Sequence, residues 1–201
     1  MKRRGRQKKN RVLLVVLMAV LLSVSCGKRY VPRPYGYWRI EIPDTAYTAF
    51  AEDTLPYAFD LSDNAIAEPI KGDNGERCWI NVKYPTLNAT LHCSYKPVKN
   101  NLGMLSDETQ KFVYKHAMKA EAIPEQGYEH PEKHVYGVYY ELQGNTASPI
   151  QFVLTDSTAN FFRAALYFNA RPNQDSIQPV LDYMRGDIIR MIESFEWKDV
   201  K

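Results

Sequence analysis

The C-terminal segment constrains the fold more than any other part of the chain, because its apolar residues form one continuous helical face. Between residues 177 and 195 these side chains recur every three or four positions, which predicts one long amphipathic helix. Asp175 or Ser176 is a suitable N-cap, and Pro179 is tolerated in the first turn. An apolar stripe of this length must be buried against another element. It consists of Ile177, Val180, Leu181, Met184, Ile188, Met191, Ile192 and Phe195.

The middle of the chain supplies the surface that such a helix needs. Residues 78–84 and 89–95 alternate apolar and polar side chains, and the loop Pro85–Asn88 joins them as a hairpin. The same signals predict strands at 135–142, 150–155 and 161–169, with turns at Gly144-Asn145 and 156–160. Residues 44–76 and 125–134 read as irregular, and 71–75 form a turn cluster.

A second helix is predicted between the hairpin and the later strands. Residues 102–120 have helical spacing, with Ser106 or Asp107 as N-cap. Its inner stripe is predicted to be Phe112, Val113, His116 and Ala120. The whole order predicts an α+β fold, an antiparallel β-sheet flanked by helices with the long C-terminal helix packed across it. It resembles the PsbP/Mog1-like sandwich, a likeness of fold that implies no activity.

The N-terminus predicts export and lipidation. Residues 1–25 contain seven Lys and Arg residues, no acid, and an apolar run of eleven residues at 12–22. That run is shorter than the roughly 20 residues that span a bilayer, and the pattern is typical of a signal peptide. Ser23-Val24-Ser25-Cys26 resembles a bacterial lipobox, although Ser23 stands where Leu, Ile or Val is usual. We expect Cys26 to carry diacylglycerol and fatty acyl groups such as palmitate; the alternative is an uncleaved anchor.

The charge of the mature chain differs from that of the whole chain. Of the 26 basic residues, seven lie in residues 1–25, so the remaining 19 face 23 acids and give a net charge of −4. A mildly acidic domain binds nucleic acid poorly, because affinity for phosphate depends on clustered Lys and Arg residues. Residues 26–39 are predicted to be an extended tether, held by Pro32 and Pro34. Its four bases favour anionic lipid, or belong to a plain solvated linker. A single globular domain is predicted over 40–201.

Cys78 and Cys93 lie on the apolar faces of the two hairpin strands. An exported protein meets an oxidising compartment, so a disulfide is one alternative. A four-residue loop Pro85–Asn88, however, places Cys93 opposite Ile80 and leaves Cys78 diagonal to it. Diagonal neighbours are roughly 7–8 Å apart, beyond normal disulfide reach. Two free thiols are therefore the favoured prediction.

The sequence predicts no catalytic residue, metal site or cofactor. His130 and His134 have helical i, i+4 spacing, but Pro131 makes the segment a loop and removes the geometric meaning of that spacing. Nucleophile elbows, phosphate loops and zinc-protease helices are lacking, and the carboxylates are scattered. A hydrolase would require a cleft with a nucleophile in contact with a base.

The strand at 161–169 carries the clearest candidate for an interaction surface. Arg163 stands within an otherwise apolar strand and needs a partner such as Asp156. One interpretation is a binding surface formed by Asp156, Arg163 and Tyr167. The simpler alternative is that Arg163 points to solvent while the alternate residues fill the core.

Many short segments, in the same order along the chain, resemble the gliding motility lipoprotein GldD family of Bacteroidetes. The resemblance covers nearly the whole mature chain. It rests on Cys78-Trp79-Ile80-Asn81-Val82, Ser94-Tyr95-Lys96-Pro97-Val98, Gln151-Phe152, Thr155-Asp156-Ser157, Phe162-Arg163, Ala165-Leu166-Tyr167-Phe168 and Glu193-Ser194-Phe195, and on residues 34–40, 84–85, 88–90, 115–116, 119–120, 135–137, 144–148, 172–176 and 197–198.

The resemblance implies a lipid-anchored protein of the cell envelope that faces the periplasm. It implies an accessory, non-enzymatic part in gliding motility and in the type IX secretion machinery, with other envelope proteins as partners. The alternative is a periplasmic module of PsbP-like type that holds a small ligand or lipid between the sheet and the helices.

Four three-residue segments resemble the O-glycosylation signal of exported Bacteroidetes proteins. Thr45 and Thr54, in the irregular acidic stretch, are the predicted acceptors. Ser176 would have to serve as a helix cap at the same time, which competes with modification.

Overall fold

The alternating segments of the chain pair into a seven-stranded antiparallel sheet in a computed structural model of the protein. The structure describes residues 44–70, 77–116, 120–169 and 174–199, all within one compact unit, Arg39–Lys201. Its helices are α1 (Leu102–His116) and α2 (Gln174–Ser194). Its strands are β1 (Tyr47–Phe50), β2 (Tyr57–Ser62), β3 (Ile66–Pro69), β4 (Ile80–Tyr84), β5 (Ala89–Pro97), β6 (Ala120–Ala122), β7 (Glu125–His130), β8 (Val135–Glu141), β9 (Gln143–Gly144), β10 (Ile150–Thr155), β11 (Asn160–Phe168) and β12 (Glu196–Trp197).

The large sheet has the strand order β3-β4-β5-β11-β10-β8-β7, so β11 lies at its centre. A smaller sheet, β1-β2-β12, and the short pair β6-β9 complete the described strands. Every pairing is antiparallel. The predicted α+β class, with an antiparallel sheet, flanking helices and a long C-terminal helix, is confirmed.

The predicted amphipathic face of α2 closes one face of the large sheet, here called the inner face. Seven of its predicted stripe residues are buried together with inner-face residues of β4, β5, β10 and β11. Each such side chain contributes roughly 1.5–3 kcal/mol on burial. The seven are Val180, Leu181, Met184, Ile188, Met191, Ile192 and Phe195. Neither helix of the described residues is both long and apolar enough to cross a membrane.

The start of α2 differs from the prediction. The helix begins at Gln174, before both predicted N-caps, Asp175 and Ser176. Pro179 therefore lies inside the helix rather than in its first turn. Proline has no N–H to donate to the preceding turn. The buried stripe that follows Pro179 compensates for that missing bond, because packing contributes more to a helix in a protein than any single backbone bond.

Helix α1 differs from the prediction in its N-cap and in its C-terminal end. It begins at Leu102, after the Asn101 carbonyl accepts the Leu105 N–H (3.1 Å), so Ser106 and Asp107 lie within the helix and do not cap it. It ends at His116, and Ala120 belongs to β6, where it pairs with Gly144. Val113 is fully buried, as predicted, in a small cluster with Tyr140 of β8 and with Leu142, the residue that follows β8.

Two segments predicted to be irregular contain strands. The stretch 44–70 holds β1, β2 and β3, and Glu125–His130 forms β7 at the edge of the large sheet. The predicted turn cluster 71–75 lies outside the described residues. The three predicted strands of the second half are confirmed within one residue at each end, as β8, β10 and β11.

The hairpin of β4 and β5 has the predicted register. Pro85–Leu87 forms one 3-10 turn, Asn88 follows in the left-handed region (φ 50°), and Ile80 pairs with Cys93. Cys93 is buried on the inner face and Cys78 is half-buried, and both are free cysteines. Burial raises the pKa of both thiols, which keeps them protonated and poorly nucleophilic.

A buried carboxylate joins α2 to the smaller sheet. The Tyr47 hydroxyl donates to Asp187 Oδ1 (2.8 Å), and Asp187 is only 4% exposed. Burial raises the pKa of Asp187 above its ordinary value, although the hydroxyls of Tyr47, Ser62, Tyr84 and Tyr183 oppose the shift. The charged form of Asp187 is therefore less favourable in the folded chain than in the unfolded chain.

We predict that the stability of Asp187→Asn, measured as its free energy of unfolding, increases relative to that of the wild type as the pH rises. A carboxyl group with a raised folded-state pKa binds more protons when folded, so its contribution to stability falls as the pH rises from the ordinary value of 3.8 through the folded-state pKa. Urea unfolding of both proteins between about pH 3 and pH 7 measures the difference in free energy of unfolding.

Asp182→Asn is the matched control on the same helix. A hydrogen bond from Arg185 lowers the pKa of Asp182, so its contribution is present above 3.8 and is lost as the pH falls through the folded-state pKa. The two difference curves should therefore slope in opposite directions. Parallel curves would contradict the assignment of Asp187 as a destabilised carboxylate.

We predict that Gly137→Ala destabilises the sheet by about 2–3 kcal/mol. A Cβ at Gly137 would collide with the Val153 carbonyl oxygen and lie 2.7 Å from Leu154 Cδ2. A Cβ added at Gly127, on the neighbouring strand β7, would meet no atom within 4 Å. Gly127→Ala should therefore change stability by less than about 0.5 kcal/mol. Urea midpoints measure both, and equal midpoints for the two variants would refute the packing argument.

Candidate functional site

A groove of about 500 Å³ lies between α1 and the outer face of the large sheet. This volume is in the range of roughly 300–1,000 Å³ that ligand pockets occupy. Its floor is formed by outward residues of β5 and β11, and its walls by α1 on one side and the segment before β4 on the other. Residues that line it include Trp79, His92, Lys96, Glu108, Phe112 and Arg163.

Arg163 lies at the centre of the groove floor, half-buried on the central strand. Its Nη2 donates to Gln151 Oε1 (3.1 Å), and its guanidinium lies 4.5 Å from the centre of the Phe112 ring. Its Nε is buried without a hydrogen-bond partner among the described residues. Burial lowers the pKa of Arg163, but a guanidinium stays charged in a protein. No carboxylate of the described residues forms an ion pair with it.

An ion pair joins the helix wall to the sheet. Lys96 Nζ of β5 lies 2.9 Å from Glu108 Oε2 of α1, and both side chains are about 40% exposed. A pair this exposed contributes at most about 1 kcal/mol to stability. The Glu108 carboxylate thus neutralises Lys96 directly, and reaches Arg163 only through a weaker electrostatic attraction.

The opposite part of the groove contains a histidine between an amide and a ring. His92 Nδ1 lies 2.7 Å from Asn81 Oδ1, and the Tyr167 ring meets the imidazole edge-to-face with centroids 5.4 Å apart. Partial burial lowers the pKa of His92, which favours a neutral ring at neutral pH. Nearby, Trp79 Nε1 donates to the Tyr95 carbonyl (2.8 Å), which fixes the indole at the groove wall.

Of the predicted interaction surface, the structure brings Arg163 and Tyr167 together in the groove but not Asp156. Asp156 Oδ1 accepts the backbone N–H groups of Thr158, Ala159 and Asn160 at 2.8–2.9 Å and holds the β10–β11 turn. Burial alone would raise the pKa of Asp156, but these hydrogen bonds outweigh it and lower the pKa. Asp156 is therefore a turn residue and does not pair with Arg163.

Four groove residues were missed by the sequence reasoning, namely Trp79, His92, Lys96 and Phe112. The alternation of β5 already placed His92 and Lys96 on the polar face, which was the available signal. Phe112 was predicted to point inward with Val113, but it is 37% exposed and covers Arg163. Helical periodicity alone does not separate two adjacent residues at the boundary of a stripe.

The remaining predicted sites fall elsewhere. Cys26 lies outside the described residues. Thr45 is half-buried and its hydroxyl donates to Tyr183 Oη (3.0 Å), whereas Thr54 is exposed in the turn before β2. His130 and His134 flank a 3-10 turn rather than a helix. Across the described ranges, no group of three His, Cys, Asp or Glu residues is placed to hold a metal ion.

Comparison with solved structures finds a similarity to the solution structure of cyanobacterial PsbP (CyanoP) from Synechocystis sp. PCC 6803. The two share 12% sequence identity with a TM-score of 0.44, over 78% of this chain and 95% of that chain. No curated protein matches the chain.

Comparison with models of protein families gives a match over most of the chain. The model of the family "Gliding motility lipoprotein GldD" matches residues 27–197, which include every strand and helix described above. The match begins directly after Cys26 and ends at the last residue of β12. The chain belongs to the gliding motility lipoprotein GldD family.

Proposed function

We propose that the protein is a lipid-anchored, non-catalytic accessory component of the gliding motility and type IX secretion machinery, with its domain facing the periplasm. Membership of the GldD family implies an accessory role in gliding motility and association with the cell envelope. The observation that carries the proposal is the extent of that match, which covers the whole described domain rather than one motif.

The N-terminal segment supports the anchoring part of the proposal. A basic region, a short apolar run and the lipobox-like Ser23-Val24-Ser25-Cys26 precede the start of the family match at residue 27. Processing at Cys26 would remove residues 1–25 and leave the lipidated tether 26–39. The anionic domain over residues 40–201 would then be held near the membrane by acyl chains.

The chemistry of the groove supports the non-catalytic part. Glu108 is paired with Lys96, and His92 Nδ1 is paired with Asn81. The Cys93 thiol is buried on the inner face with a raised pKa. A nucleophile acts when a base contacts it, and the ionisable groups of this groove contact other partners. This arrangement favours binding over bond cleavage.

A second candidate function is a periplasmic module that binds a small ligand or lipid. The groove of about 500 Å³ favours it. The sequence analysis placed this ligand between the sheet and the helices. The space between α2 and the inner face is filled by buried side chains. Such a ligand would therefore use the groove between α1 and the outer face of the sheet.

We predict that deletion of the gene in the source bacterium reduces colony spreading and secretion of type IX cargo, and that the wild-type gene restores both. Cys26→Ala should leave the protein out of the membrane fraction and fail to restore either. Cys78→Ala is the matched control, since it removes a cysteine that is not part of the lipobox sequence and should complement fully. Unchanged spreading and unchanged secretion after deletion would refute the proposed function.

We also propose that Thr54 is an O-glycan acceptor, with Thr45 as a weaker one. Thr54 is exposed in a turn, whereas the Thr45 hydroxyl is engaged with Tyr183. We predict an intact mass above that of the lipidated polypeptide, reduced by one glycan in Thr54→Ala. Ser157→Ala serves as the control at another of the similar segments, Asp156-Ser157-Thr158, and should leave the glycan mass of the protein unchanged. An intact mass equal to the lipidated polypeptide alone would disprove glycosylation.

A further inference from the structure

We propose that the outer groove binds a carboxylate carried by a peptide segment of a partner protein, with an apolar or aromatic side chain next to that carboxylate. This inference rests on the proposed function in one respect, that the partner is another envelope protein. The contacts that define the ligand chemistry are independent of it.

The first argument comes from a buried donor that has no acceptor among the described residues. Arg163 lines the groove, and its Nε is buried without a hydrogen-bond partner. The Oε1 of the buried Gln151 beside it already accepts from Arg163 Nη2. A buried donor that lacks an acceptor destabilises the folded chain. Because Nε–H is a donor, the ligand that complements it is an acceptor.

The second argument comes from charge. Arg163 is a half-buried cation, and the described carboxylates near the groove are engaged elsewhere: Glu108 with Lys96, and Asp156 with its own turn. A cation withdrawn from water requires an opposite charge for compensation. The planar guanidinium matches a carboxylate in a two-point geometry. Charge complementarity and this geometry thus favour a carboxylate as the ligand group.

The third argument concerns what accompanies the anion. The groove is lined by the aromatic residues Trp79, Phe112 and Tyr167, of which Phe112 lies against the guanidinium, and these rings favour flat apolar groups. Its lining also contains the Lys96–Glu108 ion pair, which an acyl chain would strip of water without compensation. A peptide supplies backbone C=O groups for the ammonium and backbone N–H groups for the carboxylate. A mixed surface with exposed rim residues therefore favours a peptide over a lipid.

The test is an NMR titration of the full lipidated chain in detergent micelles with defined probes. These are acetyl-Phe-Glu-Phe-amide, the matched acetyl-Phe-Gln-Phe-amide, decanoate and inorganic phosphate. We expect the Glu peptide to shift the signals of groove residues and to bind about tenfold more tightly than the Gln peptide, since a charge-assisted bond is about twice as strong as a neutral one. Decanoate and phosphate should each bind more weakly than the Glu peptide.

Arg163→Gln should reduce the preference for Glu over Gln to within about twofold, because the variant removes the cation but keeps a polar side chain with an N–H donor near the position of Nε. Arg190→Gln is the matched control: Arg190 pairs with Asp60 on α2 and β2, away from the groove, and its variant should keep the preference. If Arg163→Gln fails to fold, Trp79→Ala tests the same groove and should weaken both peptides equally.

Several outcomes overturn the inference. Equal binding of the two peptides, shifts confined to residues outside the groove, or a preference that survives Arg163→Gln would each do so. Tighter binding of decanoate would indicate a lipid site, and tighter binding of phosphate a phosphate site. Loss of gliding and secretion on deletion, combined with no peptide binding, would defeat this inference alone. Normal gliding and secretion on deletion, with charge-selective binding intact, would defeat the proposed function alone.

Discussion

The closure of the inner sheet face by α2 is the interaction on which the rest of the structure depends. Tyr57 of β2 sits at the junction, with its ring 4.8 Å from Phe162 of β11 and 6.0 Å from Phe195 after α2. Its hydroxyl donates to the Cys78 carbonyl (2.7 Å), so a buried tyrosine joins the smaller sheet, the large sheet and the C-terminus. Arg185 adds two hydrogen bonds to Glu141 of β8, which fix the helix along the sheet. With one face closed in this way, the opposite face is available for a groove.

Most of the central architecture could be predicted because its residues are buried on one side only. The alternation in β4, β5 and β11 and the stripe of α2 are direct consequences of that one-sided burial. The register of Cys93 against Ile80 followed from the loop length alone. Such patterns leave a strong trace in the sequence, since each misplaced residue would put an apolar group in water or a polar group in the core.

The parts that were missed are those whose pairing does not depend on burial. Strand β7 lies at an edge and is mostly exposed, so Glu125–His130 carries no alternation and takes its place from hydrogen bonds to β8. The groove was predictable only in part, through Arg163 and Tyr167. Its other wall comes from α1, and which helix covers a sheet face is decided by tertiary contacts that no local pattern records. Asp156 was misassigned because a turn carboxylate and an interface carboxylate look alike in sequence.

The alternation of β11 has a consequence for divergence among related proteins. Its even-numbered side chains from Phe162 to Phe168 pack toward the core, whereas Arg163, Ala165 and Tyr167 face the groove. A substitution on the outer set therefore alters what the surface recognises and leaves the packing of the inner set intact. Recognition and folding can change separately along this one strand, so relatives can acquire different partners while they keep the same scaffold.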